Sequence, residues 1–493
     1  KIEKGPTQSL YTLVLKTWSN SGLEIAGERA EDVLYQMQSS DMPGIFPGTI
    51  AFSVVLNCWG RQERLFATNR AFAVLKHMEE RFKADKKNAK PNTYCYATVI
   101  DAYGCIGKAV EAEQVLERLL EAFDESQDPD LQPNAVAFTS AIKAWGKTDS
   151  PEGPMRAENL LERMHTLYLK TGNELLAPHF IPFTSVLHAW ARCREKARKA
   201  SRSEAILTRM QELYTAGYED VRPNQISYAT VIDCLAKSNE RGAAQRAEAL
   251  LESLMALYEE TGDASLRPNT ITFTSVMDAW AKSKEKYAVS RVEAILQKME
   301  EIYKAGGKDA KPNTISYTIT LRAFATDTNA DEKTAEKALE ILNKMKMLER
   351  KGHKDLSPSA KTYGTIIRII ANRKGPHDNA KKVKELIQEM KNRSLQVDDF
   401  SFGYAFLACS RTRGSKARQN AAFVIARSLY REMLQKVKSP SAVSYANFIQ
   451  ACYGNNEKVA EEAYLDCCKH GHGQDVRVMR AIKRSAPRPR RRR

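Results

Sequence analysis

The chain has 493 residues, 43% of them apolar and 28% charged, and no apolar run approaches the roughly 20 residues that a membrane-crossing helix needs. A formal charge of +16 points to an anionic partner, yet nine of the basic residues (477, 480, 483, 484, 488 and 490–493) crowd the C-terminal end with no acid among them. The preceding residues carry +7, so the placement of those charges matters more than their sum.

A chain this long exceeds one hydrophobic core unless it is built of repeats that pack only on their neighbours. Nine cysteines, an odd number scattered without a C-x-x-C pair, suggest free thiols in a reducing compartment rather than a disulfide framework.

Residues 1–7 come first. Pro6 stands where an earlier repeat would close, so this segment is expected to be the end of a preceding repeat or a cap. Over residues 8–359 prolines recur at 47, 91, 133, 178, 223, 268, 312 and 358, spaced 42–46 residues apart. They define eight repeats closing near 48, 92, 134, 179, 224, 269, 313 and 359. The phrase "PNTITFTSVMDAWAKS" (268–283) returns as "PNQISYATVIDCLAKS" (223–238) and "PNTISYTITLRAFATD" (312–327). In it Phe273, Val276, Met277 and Trp280 form one helical stripe, and all five tryptophans (18, 59, 145, 190, 280) occupy the last place of that stripe. A second helix follows, as in "AQRAEALLESLMALYEET" (244–261), with Ala247, Leu250, Leu251, Leu254 and Leu257 as its apolar stripe and its acids facing solvent. Residues 360–454 continue the pattern in degenerate form, with Val397-Asp398 for Pro-Asn and an incomplete last repeat. Residues 455–476 are expected to cap the array, and 477–493 to be a basic, disordered tail. The fold expected is all-α: an α-solenoid (right-handed superhelix) of helix–turn–helix repeats of about 39–46 residues.

The residue after each aromatic, with those four and eight further on, makes a second stripe pointing away from the core. Its first place is always small: Thr12, Ser53, Ala97, Thr139, Thr184, Ala229, Thr274, Thr318, Gly364, Gly403 and Ala446. Its third place is basic at Arg61, Lys147, Arg192, Lys237, Lys282 and Arg411. Small residues also suit close helix contact, and cations near helix ends suit the helix dipole. Together and in register, the two features suit a groove for single-stranded nucleic acid, with bases hydrogen-bonded and phosphates neutralised.

Pro-Asn-x-x-x-aromatic, a small residue, a helix ending in Ala-Lys and then Ala-x-x-Leu-x-x-Met resemble the pentatricopeptide repeat family over about residues 8–454. That resemblance implies RNA binding in a mitochondrion or chloroplast, one base per repeat. It implies that the first-place residue and the residue after the closing proline choose the base. Ser53–Asn92, Thr184–Asn224 and Thr274–Asn313 then resemble the adenine-preferring class, while Ala97–Asn134 and Ala229–Asn269 discriminate poorly. Thr139–His179, Thr318–Ser359 and Gly403–Ser441 are ambiguous. An aliphatic residue two before the aromatic is implied to wedge between bases: Ile50, Val136, Ile181, Ile226, Ile271 and Ile315. The repeats here are longer than the family's usual length of near 35, with the surplus lengthening the second helix after its Met.

Chemistry-bearing motifs are sparse. Cys467, Cys468, His470 and His472 lie together in "CCKHGHG" without four-ligand zinc spacing. No phosphate loop or Ser-His-Asp set is present, so no catalytic residue, metal or cofactor is expected. The function expected is sequence-biased binding of single-stranded RNA in organellar RNA processing, stabilisation or translation, with other RNA-processing or ribosomal proteins as candidate partners. The alternative is a protein-binding helical scaffold in a larger assembly.

Overall fold

An asparagine after a proline is where five of the helical pairs begin, and there its side chain caps the first helix. The computed structural model describes residues 7–40, 44–84, 89–283, 285–326, 332–373, 378–452 and 456–485. The expected end of a preceding repeat (1–6) and the outer part of the basic tail (486–493) lie outside the described residues. The chain divides into an N-terminal unit (1–240 with 261–266) and a C-terminal unit (241–260 with 267–493). Among the described residues there are 23 α-helices and no strand.

The N-terminal unit holds α1 (Gln8–Ser21), α2 (Ala26–Gln38), α3 (Thr49–Gly60), α4 (Leu65–Ala84), α5 (Thr93–Cys105) and α6 (Ala109–Ser126). It continues with α7 (Ala135–Lys147), α8 (Gly153–Thr171), α9 (Phe180–Arg192), α10 (Lys196–Thr215) and α11 (Gln225–Ser238). The C-terminal unit begins with α12 (Ala243–Thr261), α13 (Thr270–Lys282), α14 (Ala288–Lys304), α15 (Thr314–Thr326), α16 (Glu332–Arg350) and α17 (Ala360–Asn372). It ends with α18 (Asn379–Asn392), α19 (Asp399–Arg411), α20 (Lys416–Lys436), α21 (Ala442–Cys452), α22 (Glu457–Lys469) and α23 (Val476–Ser485). Odd-numbered first helices pack on one another in sequence within each unit, and the even-numbered helices other than α12 pack against the first helices before and after them. Second helices scarcely meet, apart from α18 and α20. Each unit is thus a stack of helical hairpins of the α-solenoid class, whose tightly packed side is the row of first helices.

Packing follows the aromatic stripe. Phe273, Val276 and Met277 are wholly buried and Trp280 nearly so. On α12 the buried face is Ala244, Ala247, Leu251, Leu254 and Met255, whereas Leu250 and Leu257, expected in the stripe, are only half-buried. Glu248 is buried there instead, which corrects the expectation that the acids of the second helices all face solvent. The reason is a hydrogen bond. The Trp280 indole Nε1–H donates to Glu248 Oε2 at 2.8 Å, and Arg291 from the next second helix donates to the other carboxylate oxygen at 2.6 Å. The same trio recurs as Trp59–Glu31–Arg70, Trp145–Glu113–Arg156 and Trp190–Glu158–Arg202. A buried indole N–H needs an acceptor, and a buried carboxylate needs a counter-charge. Where Phe324 replaces the tryptophan there is no N–H to satisfy, and Glu293 pairs with Lys337 alone.

The surplus length has two parts. Second helices run on past their Met or Leu, as α8 does from Met164 to Thr171, whereas α18 stops at Asn392 just after Met390. Then a 3-10 turn forms at 129–131, 174–176, 219–221, 264–266, 308–310 and 354–356, burying its last residue each time. These turns join neighbouring repeats. The cation before the closing proline reaches an aspartate at the next turn in Lys90–Asp130 (2.5 Å), Arg222–Asp263 (2.7 Å), Arg267–Asp309 (2.9 Å) and Lys311–Asp355 (2.8 Å). Thr93 and Thr270, each opening a first helix, donate to turn carbonyls of Asp130 and Asp309 at 3.1 and 3.0 Å.

The C-terminal end differs from expectation. Helix α22, placed by the sequence in a capping segment, is the second helix of a hairpin with α21, and α23 packs on α21 as a further first helix would. Residues 477–485 are therefore helical rather than tail. Val478 and Ala481 are buried against the stack, while Arg477, Arg480 and Lys483 stay exposed.

The trios predict coupled energetics. Glu248→Ala leaves the Trp280 indole and the Arg291 guanidinium without their acceptor and should cost about 1–3 kcal/mol. In a Trp280→Phe background the same change should cost less, by about 0.5 kcal/mol or more. Denaturant midpoints of the four proteins measure this, and strictly additive losses would refute the shared hydrogen bond.

Candidate nucleic-acid interface

Helix starts dominate the chemistry of this face. Asn92, Asn134, Asn224, Asn269 and Asn313 each accept, through Oδ1, the backbone N–H three residues on, at 2.9–3.1 Å. Ser359, Asp398 and Ser441 cap α17, α19 and α21 in the same way. His179 caps nothing with its side chain. Burial holds its imidazole below the usual histidine range, the Asp220 charge acting weakly against that. Oxygen is the capping atom because only an acceptor satisfies a backbone N–H. What these asparagines still offer outward is their Nδ2–H2.

The first-place hydroxyls are committed in the opposite sense. Ser53 donates to the Ile50 carbonyl (2.9 Å), Thr139 to Ala135 (2.6 Å), Thr184 to Ile181 (2.9 Å), Thr274 to Thr270 (2.8 Å) and Thr318 to Thr314 (2.7 Å). With the proton spent on the helix, each presents oxygen lone pairs. Thr139 and Ala97 are buried, Ser53, Thr184, Ala229, Thr274 and Thr318 half-buried. In one repeat the link between the two expected base-facing residues is explicit. Thr318 Oγ1 lies 3.3 Å from Thr362 Oγ1, which lies 3.0 Å from Ser359 Oγ.

Close helix contact accounts for part of the small-residue pattern. A Cβ on Gly364 or Gly403 would come within 3.0 Å of Ser401 Oγ or 2.8 Å of Ser444 Oγ on the next first helix. A second crossing, which the sequence reading missed, lies at the residue following the tryptophan place. There Gly60, Gly104 and Gly146 face Ala102, Ala144 and Ala189 of the next first helix. Its signal was present, since Gly or Ala fills that place from Gly60 through Ala371.

A row of apolar side chains faces outward. Ile50, Val136, Ile181, Ile226, Ile271 and Ile315, the expected wedges, are 41–67% exposed. Tyr94, Phe400 and Val443 hold the same place and are exposed too, and Lys361 interrupts the series. Restricting the place to aliphatic residues hid the two aromatics, which offer a base a better stacking face. Scattered exposed apolar residues mean little, but one per helix at a fixed offset serves no packing purpose.

Four of the six expected phosphate ligands have partners within the protein. Arg61 donates to the Ser19 carbonyl at 3.0 Å, and Arg411 to the Ala371 carbonyl at 3.1 Å, each sealing the C-terminal turn of the preceding first helix. Lys237 pairs with Asp233 (2.5 Å) and Lys282 with Asp278 (2.6 Å), which also binds Arg322. Lys147 and Arg192 are exposed and make no hydrogen bond or ion pair among the described residues. Across the second and third places the stripe carries ten Lys or Arg against Asp101, Asp233 and Asp278, an excess of seven that equals the formal charge of residues 1–476. The basic excess of the body is thus matched by the outward stripes of the first helices, taken over the two units.

Elsewhere the reactive groups are structural. Burial pushes the Cys95 thiol up to about 11 and those of Cys234 and Cys409 to about 12, so they stay protonated at neutral pH. Cys467 is buried, Cys468 exposed, and His470 Nδ1 sits 3.0 Å from the Tyr445 hydroxyl. Among the described residues no three His, Cys, Asp or Glu side chains gather as metal ligands.

No protein-family model matches the chain, and no curated protein does. Among solved structures it is similar to the maize pentatricopeptide repeat protein PPR10, at 17% identity and a TM-score of 0.36, covering 97% of this chain and 77% of that one. It is similar also to PPR10 in complex with an 18-nt psaJ RNA element, at 16% identity and a TM-score of 0.36, covering 98% and 67%. These neighbours carry the family name that the repeated phrase resembles.

The crossing glycines give a test of what keeps the row tight. A Cβ on Gly104 would already meet the Ser140 carbonyl oxygen at 3.3 Å, so Gly104→Val should force α5 off α7 and cost about 1–3 kcal/mol. A thermal midpoint unchanged from the parent would show that the helices are not in close contact there.

Proposed function

We propose that the chain binds single-stranded RNA along its first helices, with a bias in base preference and no catalysis of its own. The observation that carries this is the outward side chain that the first helices of each unit present at one place (Ile50, Tyr94, Val136, Ile181, Ile226, Ile271, Ile315 and Phe400), with a hydroxyl acceptor close in sequence at Ser53, Thr184, Thr274 and Thr318 and an asparagine donor at Asn92, Asn134, Asn224, Asn269 and Asn313. An apolar face stacks on any base, while a donor and an acceptor can read its edge. Double-stranded RNA hides both features of the base, so it should compete poorly. On the family resemblance, the setting we propose is an organellar transcript, in a mitochondrion or chloroplast, whose processing, stability or translation the bound protein alters. A protein-binding scaffold would instead show no preference for RNA over an unrelated polyanion.

Electrostatics gives the proposal a magnitude. Six phosphate contacts on single strands would give a slope of log K against log salt near −4. Four of those cations are committed within the protein, and counting Lys16 and Lys143 of the second place beside Lys147 and Arg192 leaves about four contacts and a slope near −3. The double substitution Lys147→Ala with Arg192→Ala should flatten that slope by about 1.4, at about 0.7 per contact. Lys237→Ala or Lys282→Ala should leave it unchanged. Gel-shift titrations at several salt concentrations decide the matter, and equal flattening by all four lysines and arginines would contradict the assignment.

A further inference from the structure

The residue at the third position of each first helix differs between repeats in one atom that bears on base reading. Ser227 donates both its backbone N–H (3.1 Å) and its hydroxyl (3.2 Å) to Asn224 Oδ1, and Ser316 does the same to Asn313 Oδ1 (3.0 and 3.2 Å). Thr272 does the same to Asn269 Oδ1 (3.1 and 3.2 Å); an amide oxygen has two lone pairs, so in these three asparagines the acceptor is saturated. At Asn92 and Asn134 the third-position residues are Cys95 and Ala137, and only the backbone N–H is received. A lone pair remains open there.

We infer that Ser227 and Ser316 are positioning residues for base recognition, closing the second lone pair of Asn224 and Asn313 so that these offer a base an N–H donor and nothing else. The inference rests on the RNA-binding reading and sharpens it. With the backbone N–H and the serine hydroxyl both received, Oδ1 has no lone pair left to accept from a base. Neither Nδ2 group has a hydrogen-bond partner among the described residues, so each keeps its donors for a ligand. Thr184 and Thr274, the first-place residues of the same repeats, supply the acceptor. A repeat of this kind reads one base acceptor and one base donor with fixed polarity. A repeat with Cys95 or Ala137 leaves one lone pair of its asparagine open, so that amide can accept as well as donate and tolerates more bases. The third position also lies between the two base-facing groups, as Thr362 does between Thr318 and Ser359.

The full chain is first used to select from a randomised single-stranded RNA pool. Affinities are then measured for four RNAs differing at the base assigned to Thr274–Asn313. Ser316→Ala should reduce the ratio between best and worst base by about 2- to 10-fold, the worth of one neutral hydrogen bond, with affinity for the unselected pool unchanged. Ser316→Thr should restore the ratio. Ala137→Ser should raise it at the base assigned to Asn134, a gain that a folding defect cannot produce. If Asn313→Ala alters the ratio while Ser316→Ala leaves it within twofold, the positioning role is wrong and base reading by the asparagine stands. If Asn313→Ala leaves the ratio unaltered as well, base reading itself is wrong.

Discussion

Every α-helix starts with backbone N–H groups that no carbonyl of its own can receive, and the way this chain answers that need shapes its outer face. At most repeats the residue after the closing proline spends a side-chain oxygen on the cap, as Asn269 does for the N–H of Thr272, though Gly48 and His179 do not. Capping explains why Asn, Ser and Asp share that place, all being good N-caps. It also sets the polarity of what is left over. An asparagine whose oxygen is held by the helix turns a donor to solvent, and a threonine whose proton is held by the helix turns an acceptor. A residue type that reads as an all-purpose hydrogen-bonding group in the sequence is thereby reduced to a single role by its own backbone.

The same economy runs through the charged residues. The trio of Trp280, Glu248 and Arg291 hides an indole, a carboxylate and part of a guanidinium by satisfying each with the others. On the outward stripe Asp233 and Asp278 neutralise Lys237 and Lys282, and Arg61 and Arg411 seal helix ends. A face with a basic excess of seven therefore holds fewer cations without a partner than its composition suggests. An interface of this kind draws more of its affinity from stacking and base edges than from phosphates, which favours discrimination over plain attraction.

Helix positions, hairpin order and the aromatic core were legible because their signal is periodic and repeated, so an error in one copy is corrected by the next. Partnerships between repeats were not. Glu248 lies 32 residues before Trp280 and Arg291 lies 11 after it, and a helical stripe read within one helix gives no reason to join them. The same blindness left Leu250 and Leu257 in the expected core and the acids outside it. The C-terminal helix α23 was obscured by composition, since its Arg and Lys residues drew attention away from Val478 and Ala481, spaced to bury one edge. On the candidate interface the positions were legible and the commitments were not. A lysine at the third place reads alike whether or not an aspartate stands one turn before it.

Repeat length is where the chain departs from the family it resembles, and the placement of the surplus argues that the departure leaves the row of first helices intact. The added residues extend the ends of second helices and fold into 3-10 turns, so none intervenes between one first helix and the next within a unit. That contact is held by Gly60, Gly104 and Gly146 against alanines. The turns do add a second line of attachment, in which Lys90, Arg267 and Lys311 each reach an aspartate one repeat on. Exposed pairs of this type contribute little stability, about 0–1 kcal/mol each. Their geometric effect is larger. Adjacent repeats tied both at the helix crossing and at the turn have less freedom to rotate against each other than repeats tied at the crossing alone. Within a unit, a longer repeat of this design constrains the spacing between the outward side chains of successive first helices.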